Sequence, residues 1–178
     1  MKNRKLGGEM RNFYRLIRHA QLKADEVLAD NIVTEPPVRV TDIARNYDLL
    51  VEEVDLGSFG ARVAGFIDPK QKIIYVNKKD KANKQAFTVA HELAHWLMHQ
   101  DKLHSEPNKY AVLYRMPLGS PQNDEIEKEA NAFAARLLVP KEMLEKYKDN
   151  SDISTIADIF GVSEELIGYR LKHEFNGK

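Results

Sequence analysis

Apolar residues recur at helical spacing over residues 11–31, where Phe13, Leu16, Ile17, Ala20, Ala24, Val27 and Leu28 fall on one side. Pro36-Pro37 ends any continuation. Residues 40–46 make a short second helix with Thr41 or Asp42 near its cap. The period then changes. Residues 49–54, 62–67 and 72–76 read as strands, the last two joined by turn chemistry at Asp68-Pro69-Lys70. Residues 81–100 hold no Pro and no Gly. Phe87, Val89, Ala90, Leu93, Ala94, Trp96, Leu97 and Met98 make this stretch apolar on most sides, as a central helix should be, with Asp80 as its N-cap.

A further helical face runs through residues 124–139, with Ile126, Ala130, Phe133, Leu137 and Leu138 on one side. Pro140 breaks it and suits the first turn of the next helix, 141–148. Residues 153–160 and 164–173 flank Gly161-Val162-Ser163. Gly161 suits a C-terminal cap and Ser163 an N-cap, so residues 151–174 resemble a helix-turn-helix hairpin. Its second helix opens with Glu164-Glu165, which phosphates would repel. A packed hairpin is therefore favoured over a DNA reader, and direct nucleic-acid binding is not expected. Residues 99–123 show no period and hold Pro107, Pro117, Gly119 and Pro121. A loop of that length is often functional, and His104, Tyr110, Tyr114 and Arg115 in it are candidates to stabilise an oxyanion. The pattern predicts an α+β fold. A small antiparallel sheet packs on the 81–100 helix, and a helical hairpin closes the chain. Residues 1–10, polar with Gly7-Gly8, are expected as a flexible tail before a single domain over 11–178.

Composition narrows the class. The chain has 178 residues, enough for one domain, and 43% hydrophobic residues, enough for a core. Its 27 basic residues balance its 27 acidic ones, which argues against a general nucleic-acid coat. Lys2, Arg4, Lys5, Arg11, Arg15, Arg18 and Lys23 cluster near the start and read best as a solvated helix face. There is no cysteine, hence no disulfide and no thiolate ligand. No signal-like apolar core or membrane-length run occurs. A cytoplasmic protein without a membrane partner is the expectation.

The chemistry centres on His91-Glu92-Leu93-Ala94-His95. On a helix, residues four apart lie about one turn up and nearly in line. His91 and His95 therefore offer two imidazoles to one point, as two ligands of a zinc site would. Glu92, rotated by about 100°, can sit beside the metal and take a proton from a metal-bound water. The alternative is two core histidines with an unrelated glutamate.

A third ligand decides between them. An extended motif would need Gly at Met98 and a ligand at Asp101, and Met does not favour that turn. His99 is in line but about 12 Å along the axis from His91, too far for the same ion. His104 remains open. In the 124–139 helix, Glu127 lies about 60° from the centre of the apolar face and Glu129 about 100°. Glu127 is thus the acid best placed to reach inward. Glu125 and Glu129 suit a solvated first turn. Asn131, one turn after Glu127, could hold a ligand histidine from behind. Two imidazoles and a carboxylate could also hold iron or manganese.

The run from Phe87 through His95 to Trp96, followed by Glu127 to Pro140 (EKEANAFAARLLVP), resembles the ImmA/IrrE family of metallo-endopeptidases. Ala94 stands where Gly is common and Val139 where Met is common, both mild departures. The resemblance extends from about Arg11 onward. It implies a zincin-like fold, with His91, His95 and Glu127 as metal ligands and Glu92 as catalytic base. It implies Zn2+ as cofactor, with Mn2+ or another divalent ion as alternatives. The substrate it implies is a protein, typically a helix-turn-helix repressor of stress or mobile-element genes. The rival reading is a non-proteolytic regulator, or a toxin-like partner of an antitoxin, repressor or DNA, with a structural metal.

Overall fold

The computed structural model describes residues 2–105, 112–114 and 125–175. Helix α1 spans Lys2–Asp30 and α2 Val40–Asn46. Strand β1 (Leu50–Val54) is followed by a 3-10 turn, Gly57–Ala61, and then by β2 (Val63–Asp68) and β3 (Ile73–Asn77). Helix α3 is Ala82–Met98, α4 is Gln100–Ser105 and β4 is Val112–Tyr114. The remaining helices are α5 (Glu125–Leu138), α6 (Lys141–Leu144), α7 (Ile153–Phe160) and α8 (Glu164–Phe175).

The sheet order is β1-β3-β2-β4. The expected hairpin between β2 and β3 is present and antiparallel, with Ile67 opposite Ile74 and Gly65 opposite Val76. The sheet as a whole is not antiparallel, because β1 runs parallel to β3. The reason is the eight residues after β1. Their 3-10 turn carries the chain past the slot of β3 before β2 begins, and the hairpin then returns β3 into that slot.

Ile67, Ile74 and Val76 are buried on the face toward α3. Gly65 shares that face, and a methyl group there would overlap the Tyr75 carbonyl oxygen and the Thr88 methyl. Its missing side chain lets α3 approach the sheet closely. Helix α3 packs on β2 and β3 and, on its other side, on α5, which is flanked in turn by α1. Leu93, Phe133, Leu137 and Ile74 are fully buried at these contacts. Each such side chain contributes about 1.5–3 kcal/mol on leaving water.

Several local expectations change. Helix α1 begins at Lys2 rather than Arg11, so residues expected as a tail carry helical backbone. The N-cap of α3 is Lys81, not Asp80, and no side chain caps it. The stretch after His99 contains α4 and β4, whose few residues are too short to show a period. Helix α6 ends at Leu144, with Pro140 at its N-cap. The C-terminal hairpin follows its caps. Asp152 accepts from the Thr155 amide at 2.8 Å, Gly161 is left-handed at φ 64°, and Ser163 accepts from the Leu166 amide at 3.2 Å. Ile156, Phe160, Leu166 and Ile167 of the hairpin are buried in the common core. The first turn of α8 faces the body of the domain across a cavity of about 450 Å³ lined by Lys81, Lys84 and Phe87. Among the described residues, no helix is long and apolar enough to cross a membrane.

Candidate metal centre

The middle of α3 has no solvent-facing side. His91, Glu92 and His95 are each 0–1% exposed. Helical spacing stacks His91 and His95, and their Nε2 atoms lie 3.0 Å apart. Helix α5 crosses the same point and delivers Glu127. Its Oε2 is 3.2 Å from His91 Nε2 and its Oε1 is 3.3 Å from His95 Nε2. One ligand atom from each of the three residues lies within 4.8 Å of the others, a group that could hold a metal ion. The inward reach of Glu127 follows from its place at the border of the apolar face of α5.

Asn131, one turn further along α5, places Oδ1 2.9 Å from His91 Nδ1. With that oxygen accepting, Nδ1 carries the hydrogen and Nε2 keeps its lone pair toward Glu127 and His95.

Electrostatics follow from burial. His95 is pushed down to about 4, chiefly by burial, against the pull of Glu127. It is therefore a neutral imidazole at pH 7, the form that binds metal. Burial works to raise the Glu127 carboxyl, but its close contacts with the His91 and His95 rings outweigh it and hold it well below the usual carboxylate range. Glu92 goes the other way: burial, then the charge of Glu127, raise it well above that range. Among the described residues, neither Glu92 carboxylate oxygen has a hydrogen-bond partner, and both are buried. Orphaned carboxylate oxygens in a sealed interior are costly. A cation with its bound water, held by His91, His95 and Glu127, would supply both a counter-charge and a donor. Two imidazoles and one carboxylate also match the donor set of a catalytic zinc site.

The other candidates fall elsewhere. His104 is exposed on α4, its Nδ1 2.7 Å from the Gln100 carbonyl oxygen, and it is not part of the cluster. Tyr110 and Arg115 lie outside the described residues, and Tyr114 ends β4. His99 is likewise absent from the cluster. Glu129 departs from expectation. It is only 7% exposed and meets His99 at 3.2 Å. Its angle on α5 predicts a solvent-facing side chain, but α1 covers that flank of α5. The long amphipathic pattern of α1 was the available signal that something lay there.

The family model Peptidase_M78, described as the IrrE N-terminal-like domain, matches residues 44–172. The chain belongs to the IrrE N-terminal-like family. The match takes in α3, α5 and most of the C-terminal hairpin, and it makes the metallopeptidase class the family's own. Among solved structures, the IrrE-like chain is similar to a Mycobacterium tuberculosis transcriptional regulator, with a TM-score of 0.65 and 19% identity. That likeness covers 92% of this chain and 50% of the regulator, so the chain spans half the regulator's length. It establishes a shared fold. No curated protein matches the chain.

Proposed function

We propose that the chain is a zinc-dependent endopeptidase in which His91, His95 and Glu127 hold the ion and Glu92 is the general base. The observation that carries this is the fully buried Glu92 carboxylate, without a hydrogen-bond partner among the described residues and one residue from His91 in a cluster able to hold a metal. When bound, the ion supplies Lewis acidity that polarises a peptide carbonyl and makes a water easier to deprotonate.

The rest is the work of the chain. The Glu92 carboxylate takes the proton of the attacking water and later delivers it to the leaving amine nitrogen. Asn131 keeps the His91 Nε2 lone pair directed inward. Among the described residues, β4 is the end strand beside β2. An extended peptide could add to its outer edge through main-chain hydrogen bonds. The substrate we propose is a helix-turn-helix repressor, which fits a peptidase whose structural neighbour is a transcriptional regulator.

The same neighbour motivates one rival: a regulator that binds its partner without cutting it. Glu92→Gln separates them. The variant should retain zinc and fold but lose about 10²–10⁴ in turnover of the cognate repressor, followed as one discrete cut by mass spectrometry. A variant that cuts as fast as wild type rules out Glu92 as base. Tight binding without cutting by either protein favours the regulator.

A further inference from the structure

We propose that His99 and Glu129 are positioning residues that fix the tautomer and ring orientation of His95, and through it the affinity of the centre. The inference rests on the metal-centre reading above. His91 and His95 of α3 and His99, the residue that caps its C-terminus, form one stripe, each four residues from the next. His99 cannot share the ion, but its Nδ1 lies 3.2 Å from His95 Nδ1, and the two ring centroids are 5.2 Å apart. Its Nε2 lies 3.2 Å from Glu129 Oε2. The chain ends at the surface, where His19 of α1 brings its Nδ1 3.5 Å from Glu129 Oε1. His99 and Glu129 are 8% and 7% exposed, so little water competes for these contacts.

Donor and acceptor capacity sets the direction. A neutral imidazole has one N–H and one lone pair, and a carboxylate only accepts. Glu129 therefore takes the hydrogen on His99 Nε2, which leaves His99 Nδ1 as an acceptor. The Nδ1–Nδ1 contact then requires His95 Nδ1 to donate. The His95 lone pair is thereby forced onto Nε2, the atom that faces Glu127 and His91. With both rings neutral, one orientation satisfies every member of the relay. His91 achieves the same result with a single partner, Asn131. The two ligand histidines are thus held by unlike devices, one from α5 alone and one that runs through α3 and α5 to α1.

The test reads tautomers directly. In the metal-free, ¹⁵N-labelled protein, long-range ¹H–¹⁵N correlations should show hydrogen on His95 Nδ1 and on His99 Nε2. His99→Leu should mix the His95 tautomers and weaken zinc binding about 10- to 100-fold, measured against a competing chelator. His99→Asn, which sets a carbonyl oxygen near the position of Nδ1, should restore the tautomer and most of the affinity. A His95 hydrogen on Nε2 in wild type overturns the proposal, as do His99 variants with wild-type tautomer and affinity. If His99→Leu does not fold, Glu129→Gln decides. Gln can donate as well as accept, so both histidines should lose their single tautomer, and an unchanged spectrum defeats the relay. A wild type that binds no zinc defeats the metal-centre reading, while the tautomer measurement still judges the relay.

Discussion

Two helix contacts in this chain bury charge, and they do it in opposite ways. Where α5 and α6 meet α8 and α1, the charges are matched. Arg170, 1% exposed, donates from Nε to the Val139 carbonyl at 3.0 Å and from Nη1 to Glu174 at 2.6 Å. Arg136 pairs with Asp25 and, at 3.0 Å, with Glu142. One nitrogen, Arg170 Nη2, has no partner among the described residues. Where α3 meets α5, electron-rich atoms of His91, His95 and Glu127 converge, and both oxygens of Glu92 are orphaned. Burial of charge alone therefore does not mark a site. A cluster of acceptors that no donor among the described residues satisfies does. Matched buried pairs tie helices together, while an unmatched set asks for a ligand.

Substitution at each contact should separate the two. The largest effect expected is Glu127→Ala, which removes one donor of the cluster. Zinc affinity should fall by more than the roughly 10- to 100-fold typical of outer partners, in a competitive titration. Stability of the metal-free protein should change far less. Arg170→Met should do the reverse. Among the described residues it leaves Glu174 with Arg136 at 3.8 Å and Lys141 at 3.7 Å. A loss of about 3 kcal/mol in urea unfolding is expected, with zinc affinity kept. If Arg170→Met strips the metal, the two contacts are not independent.

A smaller effect concerns pH in the metal-free protein. His95 is depressed from 6.5 to about 4, so its contribution to stability is present above about pH 6.5 and is lost as the pH falls toward 4. Glu92 is raised, so its contribution is present below the ordinary glutamate value and is lost as the pH rises through its folded value. Glu92→Gln should therefore raise the melting temperature near neutrality and remove the loss on the alkaline side. The acid-side loss should persist. A variant with an unchanged profile would mean that Glu92 carries no buried-charge penalty.

Much of this was legible in the chain because helix periodicity carries long-range information cheaply. The angular place of Glu127 and of Asn131 on α5 follows from counting residues, and both meet α3 as expected. What counting misses is what a third element covers. Glu129 sits at the solvent-side angle of α5, yet α1 closes over it and His99 reaches it. His99 shows the same gap: it stands too far along the axis for the ion, and its place one turn after His95 puts it behind that ring. The parallel pairing of β1 was hidden for another reason. Strand patterns specify faces, not neighbours, and the detour through residues 57–61 chose the neighbour. Residues 106–111 and 115–124, which hold the remaining oxyanion candidates, lie outside the described residues.

The most direct measurement is the metal content of the purified chain after equilibration with micromolar zinc and removal of the excess. Elemental analysis should find about one zinc per chain in wild type and in Glu92→Gln, and far less in a His95→Ala, Glu127→Ala double variant. A folded wild-type chain that stays metal-free under those conditions would contradict the account, because the buried cluster of His91, His95 and Glu127 would then hold no ion for Glu92 to serve.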